Sequence, residues 1–178
     1  MKILVLNGSP NQNGSTRLLI DGFTRGAEEA GHRVSVLDTA HMNVRPCTGC
    51  IACGYDGPCV QKDDMEQIRK AVMESDMLVF ATPLYFFGFS AQLKTVLDRF
   101  CAFSSRVNMR NMKSAFLSVA WNDDDWTMDA VREHYLTLVR YLNLRDMGMV
   151  LGTGCGTPSM TRRSRFPQAA RELGKSLK

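Results

Sequence analysis

The chain has 178 residues, 44% hydrophobic and 22% charged, with a net charge of +4; that is length enough for one full core and too apolar for general disorder. Its longest apolar runs, such as Met77 to Ala81, fall far short of the ~20 residues of a membrane-spanning helix. Much of the positive charge gathers after Thr161, where Arg162, Arg163, Arg165, Arg171, Lys175 and Lys178 face only Glu172; with no aromatic-interleaved basic stripe and no nucleic-acid motif, this tail reads as a solvated face rather than a nucleic-acid surface.

Lys2 to Leu6 is an apolar run that predicts a strand buried on both faces. It turns polar at Asn7 without a small-residue cleavage site, so it reads as structure and not as a secretory signal, and the expected compartment is the cytoplasm. Leu18, Leu19, Gly22, Phe23, Gly26, Ala27 and Ala30 fall on one stripe of a helix from Ser15 to Ala30, which Gly31 stops. Arg33 to Leu37 is a second strand. The stretch from Asp38 to Lys62 has no periodicity, and a loop of that length is usually functional or organised by a ligand. Asp63-Asp64-Met65-Glu66 opens a helix with acids where the helix dipole favours them.

Met77 to Thr82 predicts a third strand, followed by Pro83-Leu84-Tyr85-Phe86-Phe87-Gly88-Phe89 as a loop. Ser90 then caps a helix to about Phe103, with Leu93, Val96, Leu97 and Phe100 inward. Ser114 to Ala120 is a fourth strand, Trp126 to Leu142 a helix, Met147 to Leu151 a fifth strand and Pro167 to Leu177 a last basic helix. Five strands alternating with five helices predict one α/β domain over residues 1–178: a three-layer α/β/α sandwich around a five-stranded parallel sheet. The expected order is 2-1-3-4-5, with the ligand at the carboxyl ends where that order reverses.

Two loops meet at that edge. The first, Asn7-Gly8-Ser9-Pro10-Asn11-Gln12-Asn13-Gly14-Ser15-Thr16, ends on a helix N-terminus, where free N–H groups and the dipole attract an anion. The hydroxyls of Ser9, Ser15 and Thr16, with Arg17 beside them, suit a terminal phosphate monoester. The plainer reading is that Ser15 caps the helix and Gly8 permits a turn. There is no Gly-Lys-Ser/Thr ending and no GxGxxG, which argues against a nucleoside triphosphate or a dinucleotide. The second loop carries several aromatics that are costly to expose unless they cover something flat and apolar, although Phe89 reads as core.

Gly8-Ser9-Pro10, Asn13-Gly14-Ser15-Thr16, Thr82-Pro83-Leu84-Tyr85-Phe86-Phe87-Gly88 and the following Ala91-Gln92-Leu93-Lys94-Thr95-Val96-Leu97-Asp98-Arg99 together resemble the NADPH-dependent FMN reductase and flavodoxin-like flavoprotein family. The resemblance implies a flavodoxin-like fold and FMN as cofactor. It implies a phosphate held by Ser9, Asn13, Ser15 and Thr16, and a flavin ring lying along Pro83, Leu84, Tyr85 and Phe86. The third flavin loop of such proteins tends to contain glycine, whereas Ala120-Trp121-Asn122-Asp123-Asp124-Asp125-Trp126 stands here; Trp121 is a candidate wall. No triad or carboxylate pair is evident, and His134 reads as a surface or packing residue, so no catalytic residue is assigned.

Cys47-x2-Cys50-x2-Cys53-x5-Cys59 packs four thiols into thirteen residues, with Cys101 and Cys155 elsewhere. Four thiolates complete a [4Fe–4S] cluster. Tetrahedral zinc also takes four, more often from two separated Cys-x2-Cys pairs; four thiols in an ordinary loop is the third reading. The motif, followed by Val60 and Asp63-Asp64-Met65, resembles the iron–sulfur flavoproteins, which implies FMN together with such a cluster. Three functions follow: an NAD(P)H-dependent FMN oxidoreductase reducing quinones, flavins or similar acceptors, an iron–sulfur flavoprotein passing electrons between protein carriers, and a non-enzymatic module on the same fold. The last, as a phospho-receiver, needs acids after strand one, where Asn7-Gly8-Ser9 stands. A homodimer that completes each flavin pocket is the expected assembly.

Overall fold

The computed structural model describes every residue, 1–178. In chain order it runs β1 (Lys2–Asn7), α1 (Ser15–Glu29), β2 (Arg33–Leu37), α2 (Met65–Met73), β3 (Met77–Tyr85), β4 (Gly88–Phe89), α3 (Ala91–Arg99), α4 (Ser104–Arg110), β5 (Lys113–Val119), α5 (Asp129–Tyr141), β6 (Arg145–Gly152), α6 (Pro158–Arg163) and α7 (Phe166–Lys175), with 3-10 turns at Thr39–His41 and Phe100–Ala102. The sheet order is β2-β1-β3-β5-β6, with every neighbouring pair parallel. Set aside the two-residue β4, which pairs antiparallel with the end of β3, and this is the expected 2-1-3-4-5 order. No helix is long and apolar enough to cross a membrane.

Alternation along the strands builds two cores. Leu4, Leu6, Leu78, Phe80 and Phe116 face Ile68 and Val72 of α2, Leu93 and Val96 of α3, and Val131 and Tyr135 of α5. Ile3, Val5, Val79, Ala81, Ala115 and Leu117 face Leu19, Ile20 and Phe23 of α1 and Ala170 of α7. Successive strand residues point to opposite faces, so a sheet covered by helices on both sides needs an unbroken apolar run. On the second face α1 and α7 touch backbone to backbone. A Cβ on Gly26 would sit 1.9 Å from the Arg171 carbonyl oxygen, and one on Gly174 2.3 Å from that of Phe23.

Four boundaries differ from the sequence expectation, each for a local reason. β3 runs past Thr82 to Tyr85, because Leu84 and Tyr85 pair with Phe89 and Gly88. The helix capped by Ser90 stops at Arg99 and restarts at Ser104. The break is local: Phe103 N–H closes a tight turn onto the Phe100 carbonyl (2.9 Å), and Phe103 at φ −154° leaves the helical region. The helix expected from Trp126 begins at Asp129, since Thr127 and Asp129 N–H groups close turns onto the Asp124 and Trp126 carbonyls. β6 begins at Arg145, two residues early, and carries a register shift opposite Ser114 and Phe116 with Gly148 at φ +125°. The short α6 was not expected; Thr157 caps it, accepting from the Met160 N–H at 3.2 Å, and Pro158 occupies its first turn.

Candidate functional site

The carboxyl ends of β1, β3 and β5 open on a cleft of about 300 Å³ at the point where the strand order reverses. The loop after β1 is tied down internally. Gly8 N–H donates to the Ala81 carbonyl (2.8 Å), Ser9 N–H to Asn7 Oδ1 (3.1 Å), and Gly14 N–H to the Asn11 carbonyl (3.1 Å). Gly14, the N-cap of α1, offers no side-chain cap, and the first residues of the helix, Ser15 and Thr16, border the cleft with their N–H groups uncapped by any side chain. Ser15 and Thr16 are buried beside it, and Thr161 Oγ1 of α6 lies 2.8 Å from Ser15 Oγ. An uncapped N-terminus with two adjacent hydroxyls is a fitting donor set for a phosphate dianion.

The other wall is aromatic and apolar. Pro83, Leu84, Tyr85, Val119, Ala120 and Trp121 border the cleft. The β3–β4 hairpin turns on Phe86 and Phe87, both in the left-handed region (φ +45° and +62°). Phenylalanine there costs about 1–2 kcal/mol per residue, and type I′ hairpins normally hold Asn-Gly instead. Phe86 is fully exposed, whereas Phe87 packs on Trp126 with ring centroids 5.3 Å apart. Trp121 lies over Gly156, where a Cβ would come within 2.2 Å of its ring.

Ser9, Ser15, Thr16, Pro83, Leu84, Tyr85 and Trp121 are thus brought to one cleft. Asn13 and Phe86 are not. Asn13 is exposed and its N–H donates to Asn11 Oδ1 (3.2 Å), because the loop closes on Asn11 rather than on the residue beside Gly14. Phe86 points to solvent because it occupies the tip of the hairpin. Asn11, Gly14, Cys155 and Gly156 also border the cleft. The run Gly152-Thr153-Gly154-Cys155-Gly156 was the overlooked signal: it supplies the glycines that the Trp121 loop lacks, and Cys155 N–H binds the Ala120 carbonyl (2.7 Å). His134 is half-buried against Phe89, ring centroids 4.5 Å apart, and burial with nearby Lys94 pushes its pKa down.

The cysteine loop forms a second feature. Cys47, Cys50, Cys53 and Cys59 are free thiols that border one cavity of about 170 Å³. No three thiols, imidazoles or carboxylates in the molecule converge into a closed metal centre. Cys101, just past α3, borders the same cavity, which its position in the sequence did not disclose. The backbone N–H of Ala52 and the Thr48 hydroxyl hold the Cys50 thiol below its ordinary pKa, while burial and the Cys47 and Cys53 thiols raise that of Cys101.

The loop is anchored by a buried ion pair. Arg99 Nη1 and Nη2 donate to the two Asp63 oxygens at 2.7 and 3.1 Å, and both side chains are only 1% exposed. Nη1 also donates to the Arg45 carbonyl (2.8 Å), and Asp63 accepts from the Arg45 and Met65 N–H groups at 3.1 and 3.2 Å. Burial pushes the Asp63 carboxyl up, but these hydrogen bonds outweigh it and leave the pKa lowered. Burial likewise opposes the charge on Arg99, and the Asp63 carboxylate more than restores it. The sequence read Asp63 as a helix-dipole residue only; Arg99, three positions after inward-facing Val96, was the signal for its partner.

The profile of the family described as NADPH-dependent FMN reductase matches residues 1–154. An iron-sulfur flavoprotein of Archaeoglobus fulgidus is 33% identical over 110 residues, covering 62% of this chain and 50% of its own. One from Methanocaldococcus jannaschii is 36% identical over 99 residues, 56% of this chain and 51% of its own. The chain spans about half the length of these curated relatives. Among solved structures, NAD(P)H:quinone oxidoreductase from Methanothermobacter marburgensis shares the fold with a TM-score of 0.83 at 21% identity, over 100% of this chain and 96% of that one. A family profile matched along residues 1–154, on a parallel sheet whose strand order reverses at the cleft, places this protein in the NADPH-dependent FMN reductase family.

Proposed function

We propose that this chain is an FMN-dependent oxidoreductase that takes reducing equivalents from NAD(P)H and delivers them to a quinone, a flavin or a similar acceptor. The observation that carries this reading is the cleft itself: an uncapped helix N-terminus with buried hydroxyls on one side and a proline–aromatic wall on the other. Ser9, Ser15 and Thr16 would hold the phosphate, with Asn13 at the rim; Pro83, Leu84, Tyr85 and Trp121 would flank the ring, and Phe86 would reach it only from the hairpin tip. FMN supplies the hydride and electron chemistry when bound. The cleft is bordered by no histidine, carboxylate or lysine, so the chain's part is to bind, orient and exclude water. Purification without oxygen should yield about one FMN per chain, bleached rapidly by NADPH. A protein that takes up no FMN even on reconstitution refutes the reading.

A second reading is favoured by a separate observation. Cys47, Cys50, Cys53 and Cys59 border one cavity, and the relatives from Archaeoglobus fulgidus and Methanocaldococcus jannaschii are named iron-sulfur flavoproteins. Four thiols around one cavity suit the donor set of a [4Fe–4S] cluster, although the loop must draw in to close around it. On this reading iron and sulfide are each about four per chain, Cys50→Ser abolishes both while FMN stays, and reduction runs through a ferredoxin-type carrier. Iron unchanged in Cys50→Ser removes these cysteines as ligands.

The assembly we favour is a homodimer that covers Tyr85, Phe86 and Phe87, since a strained, exposed aromatic tip is costly unless something uses it. Size-exclusion chromatography with light scattering tests this; a monomer that retains FMN refutes it. All six cysteines are free, which suits a reducing compartment such as the cytoplasm.

A further inference from the structure

Arg99 is a buried cation on the wall of the cysteine cavity. Its guanidinium cannot swing away, because Asp63 and the Arg45 carbonyl hold both terminal nitrogens. Its Nε is also buried, yet has no hydrogen-bond partner within the protein. Buried guanidinium N–H groups are rarely left unpaired, since each carries a desolvation cost. Arg99 borders both the cysteine cavity and a separate cavity of about 450 Å³ next to it, whereas Asp63 borders only the second. Of the two charges, only the positive one lies on the wall shared with all four thiols.

We propose that Arg99 is a potential-setting residue of the cysteine site, whose fixed guanidinium stabilises the reduced form of an iron–sulfur cluster held by Cys47, Cys50, Cys53 and Cys59. The inference rests on the iron–sulfur reading and adds to it a residue outside the ligand set. One-electron reduction makes the cluster one charge more negative. A buried cation held at the cavity wall favours that state, and net charge and hydrogen bonds to sulfur are the levers that set such potentials. The unpartnered Nε is the donor left over for a sulfur acceptor.

The test uses the full chain, reconstituted anaerobically with FMN, iron and sulfide. Cluster reduction is titrated with dithionite and followed by electron paramagnetic resonance, with iron and sulfide counted per chain. Three variants separate charge from folding: Arg99→Lys keeps the charge, Arg99→Gln removes it, and Arg99→Gln with Asp63→Asn removes the pair so that no buried charge is orphaned. The expected result is a full cluster in the double variant, with its reduction equilibrium at least tenfold less favourable, about 59 mV for one electron. Arg99→Lys should shift it by less. An unchanged midpoint in a fully loaded double variant overturns the proposal, as does loss of iron from every Arg99 variant including Arg99→Lys, which would make Arg99 only a structural pin. A wild-type chain that takes up neither iron nor sulfide overturns the iron–sulfur reading itself, and is told apart because no variant is needed to see it.

Discussion

Replacing Asp63 by alanine isolates the energetics of the loop anchor. The change removes both acceptors of Arg99 Nη2 and Nη1 and leaves the guanidinium with one carbonyl partner, that of Arg45. It also orphans the Arg45 and Met65 N–H groups. Breaking a buried pair by removing one partner costs about 3–5 kcal/mol. Although both side chains are dry, the pair lies beneath a surface loop and not at the centre of the molecule, so the lower end, about 3 kcal/mol, is expected. Urea unfolding at fixed saturating FMN and with reductant present reads this as a fall in midpoint without a change in slope. Asp63→Asn with Arg99→Gln should recover much of the loss, since neither charge remains. The pH dependence has a defined sign. The folded pKa of Asp63 is depressed, so its contribution is complete above the unfolded carboxylate value of roughly 3.9 and is lost as pH falls through the folded value. The gap between wild type and Asp63→Ala should therefore narrow only under acid conditions. A loss below about 1 kcal/mol at neutral pH, the range of an exposed pair, or a gap that widens in acid, refutes the reasoning.

Three further outcomes are expected. Replacing Phe86-Phe87 by Asn-Gly relieves two left-handed phenylalanines but gives up the Phe87–Trp126 contact, so the two costs of about 1–2 kcal/mol each are partly offset and monomer stability should rise by about 1–2 kcal/mol while self-association weakens in light scattering; a destabilised hairpin variant contradicts the strain. Gly156→Ala drives a Cβ into the Trp121 ring; because Trp121 is largely exposed, stability should change by about 0.5 kcal/mol or less while FMN titration shows weaker binding. Stripping FMN from protein kept at a hundredfold excess over Kd should cost about 2.7 kcal/mol, or roughly 5–10 °C in Tm for a domain of this length, measured by thermal melting with and without added FMN.

What was legible in the sequence follows from how local each signal is. Strands buried on both faces need continuous apolar runs, so Lys2–Leu6 and Met77–Thr82 were readable together with their order. The start of α1 was readable because Gly, Ser and Thr before an amphipathic stripe describe a helix N-terminus wherever it lies. The remainder depends on residues far apart in the chain. Asp63 and Arg99 are 36 positions apart, and a lone aspartate at a helix start looks the same whether solvent or an arginine satisfies it. Thr161 meets Ser15 across 146 residues. Gly156 matters only because Trp121 lies over it, and Phe86 leaves the cleft because two residues of hairpin fold back where a loop was expected.

α3 connects the two features. At its start Ser90 Oγ donates to the Gly8 carbonyl at 2.6 Å, and Ser90 N–H donates to Thr82 Oγ1 at 3.0 Å, so the helix is fastened to the loop after β1 and to β3 itself at once. Leu93 packs so close to Gly8 that a Cβ there would come within 2.4 Å of its own. At the other end Arg99 is fastened to Asp63 and Arg45, which flank the cysteine loop on either side. Nine helical residues rise about 13 Å, and both ends are buried. The separation between cleft and cysteine cavity is therefore set by a helix and not by the loop that carries the thiols. The cation at the wall of that cavity and the loop after β1 stand at opposite ends of one helix.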